Sequence, residues 1–351
     1  MGQHFWEKAN IPSLWKYLKA AISPKRAPYR IERKPAYSTV SPTECEYIVA
    51  VEDDAEKLAA FLQKNYQTGS SKELSPKCTI SSNWIRQQIT CGSIFLIVYE
   101  TAGPNSQIAG CIAASKLGQI KPSNITIRLI REFCISPKWR KKGLGSYLLL
   151  KIWDVLKVLN EDSVLFLKEG RPITSAGPTL HTGMWIYSLF KYSETMEQLK
   201  TIRNVFVVPW IVQESYIKKF SEYSNISLYN NFSSEGKNSD TIVLNYKGFR
   251  GEILAAFTNA WQQIEGNNIW YMTGWLSKGE LLDAERYQAA ENFGSILSSL
   301  AATDVAVWLD SKVLAVNSQL TAKWKKDGPF HWYAFQWSAG IYNDCDLFLR
   351  I

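Results

Sequence analysis

Apolar residues in the first part of the chain follow strand and helix periods in turn. From Glu46, "EYIVAV" predicts a strand, and apolar residues at helical spacing predict a helix over Asp53 to Tyr66. A shorter amphipathic helix, "SSNWIRQQI", follows a serine cap. The runs "SIFLIVYE" and "QIAGCIAASKL" then predict two strands, because the turn signal "TAGPNS" separates them.

The next predicted strand, "NITIRLIREFCIS" over Asn124 to Ser136, is long, and its apolar pattern is interrupted. The polar pair Arg131 and Glu132 interrupts it, which predicts a bend or bulge there. Gly143 to Leu159 is typical of a helix, and "SVLFLKE" predicts another strand. This order of elements predicts an α/β fold. We expect a short helix or a loop in "PTLHTGMWIYSLF".

The second half of the chain also alternates between predicted strands and helices. It follows a polar segment at residues 224 to 240, which is the candidate boundary between halves. Strands are predicted at "TIVLNY", "NIWYMTGWL" and "DVAVWLD", helices at "GEILAAFTNAW" and "DAERYQAAENFGSILSSLAAT", and a last strand pair around "FHWYAFQW" and "LFLRI". The halves share no residue-level repeat, so an internal duplication is a hypothesis.

Composition narrows the class of protein. The 351 residues fit two domains or one large double domain, and 46% hydrophobic with 21% charged residues excludes a disordered or fibrous chain. No apolar run approaches a membrane-spanning length, and the start lacks the apolar core of a signal peptide. Six cysteines without a CxxC indicate a reducing compartment, and three scattered histidines argue against a zinc site. We expect a cytoplasmic protein without a metal.

The charge is basic and uneven. Forty Lys and Arg against 32 Asp and Glu give +8, which favours anionic partners such as phosphates, a ribosome or acidic lipid. Lys16 to Lys34 contains seven Lys or Arg and one Glu, which predicts either a solvated basic arm or a docking surface for the ribosome or another anionic surface. We expect a monomer with no specific nucleic-acid partner.

A glycine turn carries the clearest chemical signal. Arg140-x-x-Gly143-x-Gly145 follows a strand and opens a helix. Glycines let a ligand approach the backbone, helix N-termini attract anions, and basic neighbours attract a diphosphate. The turn therefore predicts a site for a phosphorylated cofactor, the alternative being a tight turn with solvated basic neighbours. It lacks the Gly-Lys-Ser/Thr ending of a P-loop, and Leu148 stands where the dinucleotide fingerprint needs its third glycine.

This spacing resembles the coenzyme A pyrophosphate loop of the GNAT acyltransferase superfamily, over about residues 93 to 167. A resemblance to the protein N-myristoyltransferase family spans nearly the whole chain. The segments similar to that family, in the same order, are "HFWEKANIP", "LAAFLQKNY", "SSNWIRQQI", "FCISPKWRKKGLGS", "DVAVWLD" and "KDGPFHWYAFQW".

The resemblance implies two fused GNAT-like halves around a continuous mixed, bent β-sheet flanked by helices. It implies an arm at residues 1–45 that wraps an acyl-CoA, an acyl-CoA-binding half at 46–223, and a half at 224–351 that contributes the peptide groove and a terminal carboxylate. The implied reaction transfers a myristoyl group from myristoyl-CoA to the N-terminal glycine amine of peptides or proteins.

The resemblance also implies roles for residues. The backbone amides of Glu132 and Phe133 polarise the thioester, and the carboxylate of Ile351 removes a proton from the amine. The implied peptide contacts are Tyr66, Ser175 and Asp327, although the last two are equally typical of ordinary loop and turn residues. The implied acyl-CoA contacts are His4, Phe5, Trp6, Cys134, Ile135, Arg140, Lys141, Lys142, Gly143, Leu144, Gly145 and Ser146.

The chain departs from the family in its acceptor region. "QTGSSKELSPK" replaces an acidic loop, Thr174 replaces a tyrosine, and Ile186 stands at a histidine position. The resemblance therefore supports acyl-CoA binding by this chain more strongly than it supports the family's preference for particular peptides. Two alternatives stay open: a GNAT-type N-acetyltransferase for another amine, and a non-catalytic relative that binds acyl-CoA or peptide.

Overall fold

The described residues of the computed structural model form two compact units. The first holds described residues from 29 to 171 together with residues 332–338, and the second holds those from 181 to 331. The predicted boundary at residues 224–240 stays a prediction, since only 226–228 of that segment are described. The described residues are 29–30, 45–66, 77–100, 107–120, 125–161, 163–169, 171, 181–190, 199, 202–221, 226–228, 241–310, 313, 324–335 and 337–338.

The first unit is a mixed sheet with helices packed on it. Its five main strands lie in the order β2-β4-β5-β6-β7, antiparallel except for the parallel pair β6-β7. The strands are β1 (Tyr29–Arg30), β2 (Cys45–Val49), β3 (Lys77–Cys78), β4 (Ile94–Glu100), β5 (Ile108–Ile120), β6 (Ile125–Ile135) and β7 (Ser163–Glu169), and the helices are α1 (Ala55–Asn65), α2 (Ser82–Thr90) and α3 (Leu144–Val158).

Both faces of this sheet are buried. On one face α3 packs against alternate strand residues, among them Leu96, Ile112 and, from the last part of the chain, Tyr333. On the other face the intervening residues, such as Ile97 and Cys111, are fully buried as well. Helix α1 contacts β5 and β6 and contributes its own buried side chains, so the strands have helices on both sides.

The start of α2 confirms the serine cap that the sequence predicts. The hydroxyl oxygen of Ser81 accepts a hydrogen bond from the backbone N–H of Trp84 at 3.2 Å. This bond satisfies one of the donors that the first turn of a helix leaves unpaired.

The second unit is also a mixed sheet with helices. Its strands lie in the order β8-β14-β13-β12-β11-β9, antiparallel except for β13-β14. Phe293 on its long helix is contacted edge-on by aromatic rings from three strands. The strands are β8 (His181–Ser188), β9 (Val205–Val207), β10 (Ile226–Leu228), β11 (Thr241–Lys247), β12 (Gly251–Ile264), β13 (Asn267–Gly279), β14 (Asp304–Asp310) and the first part of β15 (Trp324–Phe335), and the helices are α4 (Trp210–Ser221) and α5 (Asp283–Ala301). The end of β15, from Trp332, and strand β16 (Trp337–Ser338) belong to the first unit.

Two sequence predictions in this region were wrong. "GEILAAFTNAW" was expected to be a helix, but it belongs to strand β12, where the run from Ile253 to Phe257 is buried throughout. A strand covered on both faces carries a continuous apolar run that has no period to distinguish it from a helix. The segment expected to be a loop or short helix contains strand β8, because Thr, Trp, Ile and Tyr favour extended backbone. The mixed α/β class itself is confirmed in both units.

Candidate functional site

Strand β6 bulges at Glu132 and Phe133, as the polar interruption predicts. The register with β5 passes from Cys111–Cys134 to Ala113–Arg131, so two residues of β6 stand opposite one residue of β5. Glu132 has a backbone φ of 45°, in the left-handed region that side-chain-bearing residues rarely adopt. The thiol of Cys111 donates to the carbonyl oxygen of Glu132 at 3.4 Å and so holds the bulged peptide.

The two bulge residues send their side chains into different surroundings. Phe133 packs against the apolar cluster beneath α3. Glu132 is buried, and its two carboxylate oxygens accept hydrogen bonds from Nε of Arg131 at 2.9 and 2.7 Å. The Arg131 guanidinium in turn lies 4.9 Å from the centre of the Trp84 ring, on α2. The bulge therefore holds a buried carboxylate in a fixed position.

The end of α1 lies near this carboxylate. Burial raises the pKa of Tyr66, and the charge of Glu132 raises it further. Burial also raises the pKa of Glu132, while the adjacent Arg131 partly offsets this. Two of the residues that the sequence assigned to the site, Tyr66 and Glu132, are thus brought together from separate elements.

Three thiol groups, those of Cys78, Cys111 and Cys134, lie near the Glu132 carboxylate and Tyr66. Burial raises the pKa of Cys134 to about 12 and also raises the pKa of Cys111 and Cys78. The thiolate is the nucleophilic form of cysteine, so these side chains are protonated and unreactive at neutral pH. Cys134 is therefore buried as a neutral thiol, and its contact with acyl-CoA stays a prediction.

The glycine turn lies directly after the bulged strand. A short 3-10 turn, Pro137–Trp139, leads to Lys141 and Gly143 with φ of 65° and 83°, and α3 begins at Leu144. The first turn of α3, all of which the structure describes, contains no acidic residue. A Cβ built on Gly143 would meet no atom within 4 Å.

The start of α3 has the features of an anion site. The N–H of Tyr147 bonds to the carbonyl of Gly143, so the N–H groups of Leu144, Gly145 and Ser146 precede the intrahelical ladder. Helix N-termini carry partial positive charge, which favours phosphate. These are residues that the sequence assigned to the cofactor.

The basic residues of the turn differ in what they contact. The guanidinium of Arg140 donates to the carbonyl oxygens of Ile135 at 3.1 Å and Asn65 at 3.3 Å, so it ties the turn to the end of α1. Nζ of Lys142 lies 5.0 Å from the centre of the Trp139 ring, and Lys141 is exposed. Lys141 and Lys142 are therefore the side chains best placed to attract a diphosphate.

Glu100 on β4 holds the 3-10 turn Pro137–Trp139 in place through two hydrogen bonds. Its carboxylate accepts hydrogen bonds from Nζ of Lys138 at 2.7 Å and from the indole N–H of Trp139 at 2.5 Å. The hydrogen bond from Lys138 is the main reason that the pKa of Glu100 is lowered. Sequence reasoning missed Glu100, Trp84 and the side chain of Glu132, and the only signal was the charged pair at 131–132 within an apolar strand.

Several predicted site residues lie outside the described part of the chain. These residues are His4, Phe5, Trp6, Ser175 and Ile351. Asp327 lies within strand β15, and its side chain is not among those described. The roles of all six stay predictions.

The described residues contain neither a membrane-spanning helix nor a metal site. Among them, no helix is both long and apolar enough to cross a membrane. Within the same ranges, no cluster of three or more His, Cys, Asp or Glu has an arrangement that could hold a metal ion.

Comparison with known proteins gives a match in structure and none in sequence. No protein-family model and no curated protein matches the chain. Among solved structures, the chain is similar to Saccharomyces cerevisiae N-myristoyltransferase with bound myristoyl-CoA, at 11% identity, 98% coverage of this chain, 91% of that chain and a TM-score of 0.56. A structure of the yeast enzyme with bound myristoyl-CoA and inhibitors gives 12% identity, 98% and 92% coverage, and a TM-score of 0.55. The resemblance stated from the sequence is thus confirmed at the level of the fold.

Proposed function

We propose that this chain is an acyl-CoA-dependent N-acyltransferase that moves a myristoyl group from myristoyl-CoA to the N-terminal glycine amine of a peptide or protein. One observation carries the proposal: within the first unit, the bulge at Glu132 and Phe133 is joined by a single short connection to the helix start at Leu144. The two features together suit the two ends of an acyl-CoA, a reactive thioester and a diphosphate.

The bulge supports the reaction at the thioester. As the acceptor nitrogen attacks the carbonyl carbon, negative charge develops on the carbonyl oxygen, and backbone N–H groups stabilise that charge when they point at it beforehand. A bulge removes residues from the regular ladder, so their amides can be directed at a ligand. In this proposal the amides of Glu132 and Phe133 fill that role, and no particular side chain is needed for it.

The helix start supports binding of the diphosphate. The N–H groups of Leu144, Gly145 and Ser146, with the charges of Lys141 and Lys142, favour an anion at this position. Gly143 leaves the space beside them open. In this proposal Arg140 acts mainly by holding the turn to α1, since its guanidinium already donates to two carbonyl groups.

The choice of a long acyl chain rests on the fold. The yeast structures that this chain resembles over 98% of its length contain myristoyl-CoA. His4, Phe5 and Trp6 are proposed to wrap the acyl-CoA, as the resemblance implies. The resemblance also implies that the carboxylate of Ile351 removes a proton from the acceptor amine. That role stays a prediction, because residue 351 lies outside the described part of the chain.

The acceptor is proposed as an amine at the start of a peptide, with a preference that differs from the family's. Ile186, at the position where the family has histidine, is only 1% exposed and packs in the core of the second unit. It therefore offers no polar contact to a peptide. Tyr66, Ser175 and Asp327 are the proposed acceptor contacts, and the basic segment from Lys16 to Lys34 is the proposed contact with a ribosome or another anionic surface.

Mass spectrometry of the purified protein tests this function. The measurement asks which CoA derivative co-purifies and whether a glycine-initiated peptide gains the mass of a myristoyl group from myristoyl-CoA. The control is the same peptide with its N-terminus blocked. Transfer of acetyl alone would support an N-acetyltransferase instead, and binding of acyl-CoA with no transfer to any amine would indicate a non-catalytic relative.

A further inference from the structure

The second unit exposes two large apolar side chains that lie close together. Phe249, in the turn between β11 and β12, is 90% exposed, and Leu282, directly before α5, is 72% exposed. Side chains this exposed have few neighbouring atoms, so both project from the surface. Single exposed apolar residues are common, but a group of them rimmed by polar residues marks a binding surface.

One carboxylate holds the two residues side by side. Oε1 of Glu285 accepts a hydrogen bond from the backbone N–H of Phe249 at 3.2 Å, and Oε2 accepts one from the N–H of Leu282 at 3.0 Å. The N–H of Gly248 donates to the carbonyl oxygen of Gly251 and closes the turn. A Cβ on Gly248 would meet Oε1 of Glu285 at 3.0 Å, so the turn packs directly on this carboxylate. Phe249 and Leu282, called the tip below, therefore stand on a fixed backbone.

The start of α5 is not a second diphosphate site. In each unit a helix connects two parallel strands, α3 between β6 and β7 and α5 between β13 and β14. The first turn of α3 contains no acidic residue, whereas that of α5 contains Asp283 and Glu285. These carboxylates already offset the partial positive charge of the helix start. The tip therefore does not belong to a vacant copy of the glycine turn.

The backbone of the tip suits an apolar environment. An unpaired N–H or carbonyl group costs free energy when it moves from water into lipid. The N–H groups of Phe249 and Leu282 both donate to Glu285, and the carbonyl oxygen of Arg250 accepts from the N–H of Glu280 at 3.3 Å. The two apolar side chains can therefore enter lipid while these neighbouring backbone groups keep their partners.

The tip is basic on the side of β9 and the turn. In the described stretches 202–207 and 247–251, the exposed charged side chains are Arg203, Lys247 and Arg250, all of them cations. The N–H of Lys247 donates to the carbonyl oxygen of Asn204 at 2.8 Å, which brings Arg203 close to the turn. Nζ of Lys247 lies 5.4 Å from the centre of the Phe206 ring, a third apolar side chain, which is 47% exposed.

The side of the tip beside α5 is acidic. Glu280 and Asp283 are exposed there. Glu252, after the turn, is half-buried and stands opposite Lys278 in the register of β12 and β13. The unequal charge of the two sides gives the tip an orientation, in which the basic side faces an anionic surface and the acidic side faces water.

We propose that Phe249 and Leu282 insert into the surface of a lipid bilayer that contains anionic phospholipid, where Arg203, Lys247 and Arg250 contact the headgroups. A bilayer fits the tip better than a protein partner does. A specific protein interface buries about 800 Å² on each partner with matched shape, whereas the tip is a few projecting side chains. A lipid surface needs no matched shape, takes up exposed Phe and Leu, and attracts Lys and Arg when it is anionic.

This inference goes beyond the proposed function and does not depend on it. The tip lies in the second unit, whereas the bulge and the glycine turn lie in the first. If the proposed function holds, a protein bound in this way would release its acylated product beside the lipid that takes up the acyl chain.

Vesicle sedimentation with the full-length protein tests the inference. Vesicles of phosphatidylserine and phosphatidylcholine are compared with vesicles of phosphatidylcholine alone. The double variant Phe249→Ala, Leu282→Ala should bind the anionic vesicles at least about tenfold more weakly than wild type, because burying large apolar side chains supplies much of the binding. Its backbone bonds to Glu285 are kept, since both come from N–H groups.

A second variant tests the charges. Lys247→Gln with Arg250→Gln should weaken binding to the anionic vesicles by about fivefold for each charge removed. Binding to the phosphatidylcholine vesicles should not change. An equal loss on both kinds of vesicle would contradict the contact with anionic headgroups.

The end of α3 supplies the matched control. Val158 and Leu159 are also exposed apolar residues, at 83% and 50%, and they lie in the first unit. Val158→Ala with Leu159→Ala should bind vesicles like wild type. The basic segment from Lys16 to Lys34 is intact in every variant, so any attraction that it adds is common to all of them.

The remaining outcomes are distinct. A wild type that binds neither kind of vesicle, or a tip variant that binds like wild type, overturns the inference. A wild type that ignores vesicles but forms a dimer that the tip variant dissociates also overturns it and makes the tip a contact between copies. If the double variant does not fold, Phe249→Ala and Leu282→Ala are measured singly, and wild-type binding by both contradicts the inference.

Acyl transfer separates this inference from the proposed function. Transfer to a water-soluble glycine-initiated peptide should be equal in wild type and in the tip variant. A wild type that binds vesicles through the tip but acylates no amine overturns the proposed function alone. A wild type that acylates the peptide but does not bind vesicles overturns the role of the tip alone.

Discussion

The N–H group of Tyr147 donates to the carbonyl oxygen of Gly143 at 3.1 Å, and this is the first hydrogen bond of helix α3. The three preceding N–H groups lie before the first bond of the helical ladder, at a point where the backbone of Gly143 is left-handed. This arrangement makes the proposed diphosphate site testable with a single methyl group.

Gly143→Ala should weaken acyl-CoA binding, with a KM at least about tenfold higher, because the methyl group displaces a charge-assisted hydrogen bond. Gly92→Ala is a matched control. Both glycines have nearly the same φ, and a Cβ at either one meets nothing within 4 Å. Each variant should lose about 1–2 kcal/mol of stability from left-handed strain, but only Gly143→Ala should change KM. If both variants have the same KM for acyl-CoA, the turn at Gly143 does not bind the diphosphate and has a structural role only.

Myristoyl-CoA should raise the melting temperature of the protein far more than acetyl-CoA at the same concentration. The diphosphate contacts are common to both ligands, while each methylene buried from the longer chain adds about 0.8 kcal/mol of binding. Differential scanning fluorimetry with free CoA as the reference measures the difference. Equal shifts from the two acyl-CoAs would favour the N-acetyltransferase alternative.

The ion pair between Arg128 and Glu161 should make stability depend on pH. Burial alone raises the pKa of Glu161, but hydrogen bonding and the charge of Arg128 outweigh it, and the net pKa is lowered. A lowered pKa means that the carboxylate stabilises the fold above its unfolded pKa and that this stability is lost as the pH falls through the folded pKa. Glu161→Gln should therefore reduce the free energy of unfolding by about 1–3 kcal/mol at pH about 7.

Urea unfolding measures that difference. The gap between wild type and Glu161→Gln, measured at pH about 7 and again at acid pH, should narrow, because the stabilisation present above the unfolded pKa of about 4.3 is lost as the pH falls through the lowered folded pKa. The exposed pair of Glu56 and Arg86 serves as control, because Glu56→Gln should change stability by no more than about 1 kcal/mol. A gap of the same size at both pH values would contradict the assignment.

Restoring the family's histidine by Ile186→His should not restore a peptide contact. Ile186 pairs with Val307 across β8 and β14 and is buried, so an imidazole there would move a polar ring from water into an apolar core and should lower stability by about 1–3 kcal/mol. Ile186→Val, which removes one methylene, should lower it by about 0.5–1.5 kcal/mol. An Ile186→His protein of wild-type stability with a broader acceptor range would show that this side chain faces the substrate.

The sequence predicted the bulge and the glycine turn more accurately than it predicted some of the elements around them. Arg131 and Glu132 interrupt an apolar strand, and Gly143 and Gly145 follow at a strand-to-helix junction, so local chemistry alone predicted the bulge and the turn. The Arg140 guanidinium illustrates the limit of such reasoning. The contact of Arg140 with a diphosphate stays a prediction, but nothing in the sequence indicates that it bonds to the carbonyls of Ile135 and Asn65, the second of which lies far away in the chain.

Strand β12 shows why other predictions failed. Ala255 and Ala256 have high helix propensity, yet neighbouring strands on both sides supply hydrogen bonds that outweigh it. Likewise, nothing local to Glu132 indicates that its carboxylate is buried. The residues that bury it, Tyr66 on one element and Cys78 on another, come together only when the chain folds.

Tyr333 has a consequence for how the protein is made. Its ring belongs to the core of the first unit, where it stacks on Phe166 with centroids 5.3 Å apart, although it follows residues 181–331 of the second unit in the chain. A chain emerging from the ribosome folds its N-terminal parts first when it can. Here the first unit must wait for translation to pass residue 333, so the nascent chain carries an unfinished apolar core through most of its synthesis, and a fragment ending at residue 180 would never complete it.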